Sequence, residues 1–264
     1  MLEEKTRIIK FHSDILNKEM AMSVYIPEQY KIVDSLPVLY FLHGRSGDEN
    51  MMSEIGLDLV ADRLIQGQEI NPLIIVCPRI ENSRGINSSI VCREVVDPVN
   101  RIINLGMYED YFIKEVIPLI DKMFHTIKGR EGRYVGGVSA GGYAALHNAF
   151  RHQSLFSKVG GHMPAIELTL EKEDQSYFEN MEIWNKYNPI NIAKNEMDSV
   201  DMKVFLDAGN QDEGEFYKGC SLLHGILQEK NIISQNHVFV GHHNLEYVQS
   251  NLEKYLKFYS QLRK

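Results

Sequence analysis

The sequence predicts an α/β domain built on a mainly parallel sheet with helices over both faces. Three observations lead there: short apolar runs recur along the chain, helix-patterned segments separate most of them, and several runs carry almost no polar residue. Strands that alternate with helices imply parallel crossovers, and a strand without polar alternation is one buried on both faces. The length of 264 residues suits a single α/β domain spanning 1–264, and a chain of that size can hide about 70–75% of its unfolded surface.

Taken in order, "TRIIKFHSDILNKEMAMSVYIP" has polar turn residues in its middle and predicts an antiparallel hairpin at one sheet edge. "PVLYFLHG" and "PLIIVCP" are buried strands. In "MYEDYFIKEVIPLIDKMF" the apolar residues Phe112, Val116, Leu119, Ile120 and Met123 follow helical spacing, with a kink expected at Pro118. "RYVGGVS" is a strand that turns into the alanine-rich helical run "AGGYAALHNAF". "SKVGGHM", "MKVFLDAG" and "NHVFVGHH" complete the strands, while "FYKGCSLLHGILQEKN" and "NLEYVQSNLEKYLKFYSQLRK" are the late helices. The stretch 164–200 breaks this rhythm and holds the single tryptophan, Trp184, beside the acidic run "EKEDQSYFENMEIW". It reads as a cap-like insertion over a pocket, with a plain surface excursion as the alternative. The chain shows no internal repeat, low-complexity tract or Gly/Pro/Ser linker.

A net charge of −8 argues against a nucleic acid or other polyanion as partner, since such a ligand calls for a basic face. Cys77, Cys92 and Cys220 are odd in number and show no C-x-x-C spacing, which fits reduced thiols better than a disulfide frame or a zinc site. The opening "MLEEKTRIIKFHSD" lacks an apolar signal core, and no run approaches the ~20 apolar residues that span a bilayer. These readings make a cytoplasmic protein with no membrane partner the expectation, with homo-oligomerisation left open.

Four glycines crowd around Ser139 in "YVGGVSAGGYAALHNAF". Gly137-Val138-Ser139-Ala140-Gly141 matches G-x-S-x-G, the sharp strand-to-helix turn that holds a serine in a strained conformation with its hydroxyl projecting above the sheet. The following helix aims its N-terminal amides at the same point. No phosphate-loop pattern, G-x-x-x-x-G-K-[ST] or G-x-G-x-x-G, competes for the glycines. A serine hydroxyl needs a base oriented by an acid. Later strand ends offer Asp207, Asp212 or Glu213 as the acid and His242 or His243 as the base, in the order Ser, acid, His. For the oxyanion, the amide of Ala140 is one donor and that of Arg45, in the glycine-spaced loop of "LYFLHGRSGDEN", is the other. His43 and Gly44 open that loop, His43 as a brace. Both, together with Trp184, are expected at the substrate.

These residues resemble the esterase-D-like branch of the α/β hydrolases, which includes feruloyl and acetyl esterases, short-chain esterases, S-formylglutathione hydrolases and mycolyltransferases. The resemblance runs from about Leu36 to the C-terminus, through "LYFLHGRSGDEN", "NPLIIVCPR", "YEDYFIKEVIPLID", "GRYVGGVSAGGYAAL", "AGNQDEGEFY" and "GHHNLEYVQSNLEKYLKF". It implies the α/β-hydrolase fold. It also implies that the acid is Asp212, three residues after Gly209, and that the base, counted back from Tyr247, is His243. Asn244 and Val248 depart from the family's usual acid and Trp, and Val138-Ser139-Ala140 stands where Leu-Ser-Met is common. The activity implied is that of a serine carboxylesterase acting on a small ester through Ser139, His243 and Asp212, with no metal or organic cofactor. The alternatives are a thioester hydrolase of the S-formylglutathione type, an acyltransferase, or a silent binding protein on the same fold.

Overall fold

β-Branched and aromatic runs form strands where expected. The computed structural model describes residues 5–178, 180–198 and 200–261. It opens with β1 (Thr6–Ser13) and β2 (Lys18–Tyr25), paired antiparallel with Thr6 opposite Tyr25. There follow β3 (Val38–Leu42), α1 (Met51–Glu54), α2 (Leu57–Gln66) and β4 (Ile74–Pro78). Next come β5 (Arg93–Val96), β6 (Ile102–Leu105), α3 (Tyr108–Tyr111), α4 (Ile117–Met123), β7 (Arg133–Val138) and α5 (Ala140–Arg151). The chain continues with β8 (Lys158–His162), α6 (Met181–Tyr187), α7 (Pro189–Asn195), β9 (Lys203–Gly209), α8 (Phe216–Glu229), β10 (Ile233–Phe239) and α9 (Leu245–Ser260).

Eight strands form one sheet in the order β1-β2-β4-β3-β7-β8-β9-β10. β1, β2 and β4 join antiparallel, and every pair from β4 to β10 is parallel. The fully apolar β3 shows why its pattern has no polar alternation. Leu39 and Phe41 pack into one cluster with Leu64 of α2 and Leu252 and Leu256 of α9. Tyr40 and Leu42 point the other way, among Phe112, Ala145 and Phe156. Both faces are therefore dry. Because the central strands are parallel, their carboxyl ends gather at one edge, where loops can converge on a ligand.

Two local features differ from the sequence reading. The irregularity expected at Pro118 lies one turn earlier, as a π-helical turn (Phe112–Val116) between α3 and α4. Proline lacks the amide hydrogen and crowds the carbonyl four residues back, so the widened turn absorbs the misfit and Pro118 opens the first turn of α4. The β5–β6 hairpin, with Val96 opposite Ile102, has no counterpart in the predicted elements. Its turn is organised by Asp97, whose Oδ1 accepts from the amides of Val99 and Arg101 at 2.9 and 2.8 Å.

Within 164–200 the described residues form a loop, a short turn (Lys172–Tyr177) and the helices α6 and α7. Asn180 and Asn188 cap the two helices through the amides of Ile183 and Ile190. Trp184, Tyr177 and Phe178 bury against Ile103 and Leu105 of β6 and Tyr143 of α5, a third apolar cluster. Among the described residues no helix is long and apolar enough to cross a membrane.

Candidate active site

The turn after β7 forces Ser139 to φ 54°, ψ −119°, a conformation that costs strain in any residue with a side chain. Glycine is required on both sides for a steric reason. A Cβ on Gly137 would meet the carbonyl oxygens of Gly141 and Leu42, and one on Gly141 would meet those of Leu42 and His43. The strained serine is held by its own backbone. Its amide donates to the His162 carbonyl at 3.0 Å, and its carbonyl accepts from Tyr143 and Ala165, each at 3.0 Å.

Ser139 Oγ lies 2.8 Å from Nε2 of His243, and His243 Nδ1 lies 2.9 Å from Oδ2 of Asp212. The carboxylate can only accept, so Nδ1 carries the proton and Nε2 is free to accept from the serine hydroxyl. Asp212 is oriented in turn by the Gly214 amide, which donates to its other oxygen at 2.9 Å. Phe216, the first residue of α8, places its ring 5.1 Å from the His243 ring. The three residues come from the ends of β7, β9 and β10, which parallel pairing, with β8 between β7 and β9, brings to the same edge of the sheet. A hydroxyl, a base and an orienting acid in this geometry can activate the serine as a nucleophile.

The rival candidates are occupied elsewhere. Asp207 faces α9 with no exposed surface, and its oxygens accept from His162 Nδ1 at 2.9 Å, Tyr247 at 2.7 Å and Tyr255 at 2.8 Å. His242 points outward, with Nδ1 2.8 Å from Glu213.

Ser139, Ala140, Gly44, Arg45 and His243 all line one cavity of about 940 Å³. Its walls are apolar at Met51, Val138, Met163, Ile166, Leu168 and Phe216, and carry the carboxylates of Glu167 and Asp174. Ala140 opens α5, so its amide sits at a helix N-terminus. Arg45 sits in a loop pinned by Ser46, whose amide donates to Asn82 Oδ1 at 2.7 Å. Burial raises the pKa of the Glu167 carboxyl even though Arg84 pairs with it.

Two residues expected at the substrate lie away from it. His43 is 1% exposed and beneath the lining, with Nδ1 donating to the Gly44 carbonyl at 2.8 Å and Nε2 accepting from the Ile80 amide at 2.9 Å. Burial lowers its pKa, so it is a neutral brace. Trp184 is 5% exposed and sits one layer out, because its indole completes the aromatic cluster against β6 instead of facing the cavity. Gly44 is the member of that set that reaches the lining. Sequence reading missed Phe216, Arg84, Glu167 and Asp174. Arg84 and Glu167 meet across 83 positions and have no local pattern to reveal them.

The family described as Putative esterase matches residues 13–259, and the chain belongs to it. Among curated proteins, an esterase of Mycobacterium tuberculosis strain H37Rv is 25% identical over 154 residues, covering 58% of this chain. The chain spans about a third of the length of that relative, since the match covers 31% of it. A solved ferulic acid esterase superposes with a TM-score of 0.80 at 22% identity, covering 97% of each chain. An S-formylglutathione hydrolase from Agrobacterium tumefaciens gives 0.76 at 16% identity, over 96% of this chain and 94% of that one. At such identities the likeness is one of fold, and the fold is that of the α/β hydrolases.

Proposed function

We propose that this member of the esterase family is a serine carboxylesterase that hydrolyses small carboxylic esters through an acyl-enzyme. The observation that carries the reading is His243 bridging Ser139 and Asp212 at the base of an open cavity, at 2.8 and 2.9 Å. Ser139 Oγ attacks the ester carbonyl while His243 Nε2 takes its proton, and Asp212 steadies the imidazolium that results. Negative charge growing on the carbonyl oxygen is received by the amides of Arg45 and Ala140, placed before the reaction begins. His243 passes its proton to the departing alcohol, then draws one from the water that releases the acid. The free thiols Cys77, Cys92 and Cys220 agree with a reducing, cytoplasmic setting. The likeness in fold to a ferulic acid esterase supports testing bulky aromatic acid esters beside short-chain and formyl-thioester substrates.

The test is hydrolysis of p-nitrophenyl acetate together with covalent labelling by a fluorophosphonate. Ser139→Ala is expected to lose both while keeping its circular dichroism and melting temperature. A mutant that hydrolyses and labels like the wild type sinks the assignment.

A further inference from the structure

We propose that Asp174 is a positioning residue for the oxyanion site: through the Arg45 side chain, it holds the loop that presents the Arg45 amide to the cavity. This rests on the catalytic reading above. Asp174 belongs to the inserted segment, far from that loop in sequence, and is 2% exposed at the cavity wall. Its Oδ1 accepts from Arg45 Nη2 at 3.1 Å, and its Oδ2 forms an ion pair with Arg84 Nη2 at 2.7 Å. Arg84 is itself clamped. It is 1% exposed, grips Glu167 at 2.6 and 3.2 Å, and lies 4.7 Å from the ring centre of Tyr143. Tyr143 sits one turn into α5, and its amide is bonded to the Ser139 carbonyl at 3.0 Å. Charged contacts thus run without a break from the helix behind the nucleophile to the loop with the second oxyanion donor.

The loop draws its rigidity from such outside partners. Gly44 and Gly47 space it, Ser46 is at φ 62°, and Tyr177 of the inserted segment donates to the carbonyl of Asn82, the residue that also receives the Ser46 amide. Oxyanion stabilisation works because the donors are placed before charge develops, so a loop free to drift loses rate without losing substrate binding. An exposed ion pair would hold little. This carboxylate is withdrawn from water and engaged on both oxygens, and that makes it a fixed anchor.

Steady-state kinetics on p-nitrophenyl acetate separate the outcomes. Asp174→Asn and Arg45→Ala should each lower kcat about 10- to 100-fold, part of the ~10²–10³ lost when an oxyanion donor is removed outright. KM should stay within about threefold, Arg45→Lys should recover part of the rate, and the Arg45→Ala/Asp174→Asn double mutant should be no slower than the slower single mutant. An unchanged kcat, a rise in KM at steady kcat, or single effects that multiply in the double mutant would overturn the proposal. Circular dichroism checks folding. If Asp174→Asn does not fold, Arg45→Ala carries the test, because it leaves the backbone amide and the buried Arg84–Glu167 pair in place. Ser139→Ala is the control for the underlying reading. If it is inactive while Asp174→Asn matches wild type, this inference alone fails. If Ser139→Ala matches wild type, the catalytic reading fails and takes this inference with it.

Discussion

His242 and His243 are neighbours in the chain, yet their rings have unrelated surroundings. His243 is 22% exposed at its side chain and sits between Ser139 and Asp212, whereas His242 is 55% exposed at its side chain and meets the surface carboxylate of Glu213. The choice is made just downstream. Asn244 caps α9 by accepting from the Tyr247 amide at 3.0 Å, and the Tyr247 hydroxyl donates to buried Asp207 at 2.7 Å. With the first turn of α9 anchored on the sheet, only one of the two preceding residues can turn inward. His243→Ala is therefore expected to cost at least about a thousandfold in kcat, and His242→Ala less than about threefold, since an exposed ion pair contributes little. Kinetics of both variants on p-nitrophenyl acetate check this, and reversed effects would move the base to His242.

At the scale of elements, α5 does two jobs: it follows Ser139 and it anchors the inserted segment. Its C-terminal half gathers on one buried carboxylate from α3. Glu109 accepts from His147 Nε2 at 3.0 Å, Arg151 Nε at 3.0 Å and His152 Nε2 at 2.8 Å. His147 Nδ1 and the Tyr143 hydroxyl both donate to the Tyr187 carbonyl, each at 2.9 Å, which ties the end of α6 to α5. Burial alone would raise the Glu109 pKa, but the hydrogen bonds and charges of His147, His152 and Arg151 outweigh it, and the carboxyl is held well below its usual value. A group depressed on folding stabilises fully above its unfolded pKa, about 4.3 for glutamate, and that contribution fades as pH falls towards the folded value. Glu109→Gln should lose about 3–5 kcal/mol at pH 7, the usual cost of stranding one half of a buried ion pair. Its urea midpoint should also fall less steeply than that of the wild type between pH 5 and pH 3. Parallel loss in both proteins would remove Glu109 as a source of acid sensitivity.

Across the whole molecule, parallel strands bring the β7, β9 and β10 ends to one edge, and the segment after β8 emerges at that edge and folds back over it. Ile166, Leu168, Glu167 and Asp174 of this segment reach the cavity, while its aromatic residues bury outward against β6. The inserted segment thus carries its own small core, and size selection is expected from its front residues instead of from Trp184. Leu168 is 50% exposed at the cavity wall, so trimming it should free space with little effect on folding. Leu168→Ala is expected to raise the ratio of kcat/KM for bulky aromatic esters over acetate about three- to tenfold, in line with a methylene or two of pocket space. An unchanged ratio would place the inserted segment outside the substrate's reach.

The sequence by itself determined the elements and the chemistry that local spacing carries. Glycines at 137 and 141 could be read because the turn between a strand and a helix leaves no room for Cβ, and that constraint is local. The apolar run of β3 could be read because burial on both faces removes polar alternation from the sequence itself. The acid and the base were narrowed to a few residues at two strand ends, and only a likeness to a family chose among them. Tertiary structure decided what depends on partners distant in the chain. Asp207 is spent on His162, Tyr247 and Tyr255, leaving Asp212 for His243. Trp184 turned from the cavity to join a cluster with Ile103 and Leu105 of β6, an unpredicted strand distant in the chain. The Arg45–Asp174–Arg84–Glu167 network left no trace in local pattern, since a buried charge is stabilised by whichever counter-charge folding brings beside it, at any separation along the chain.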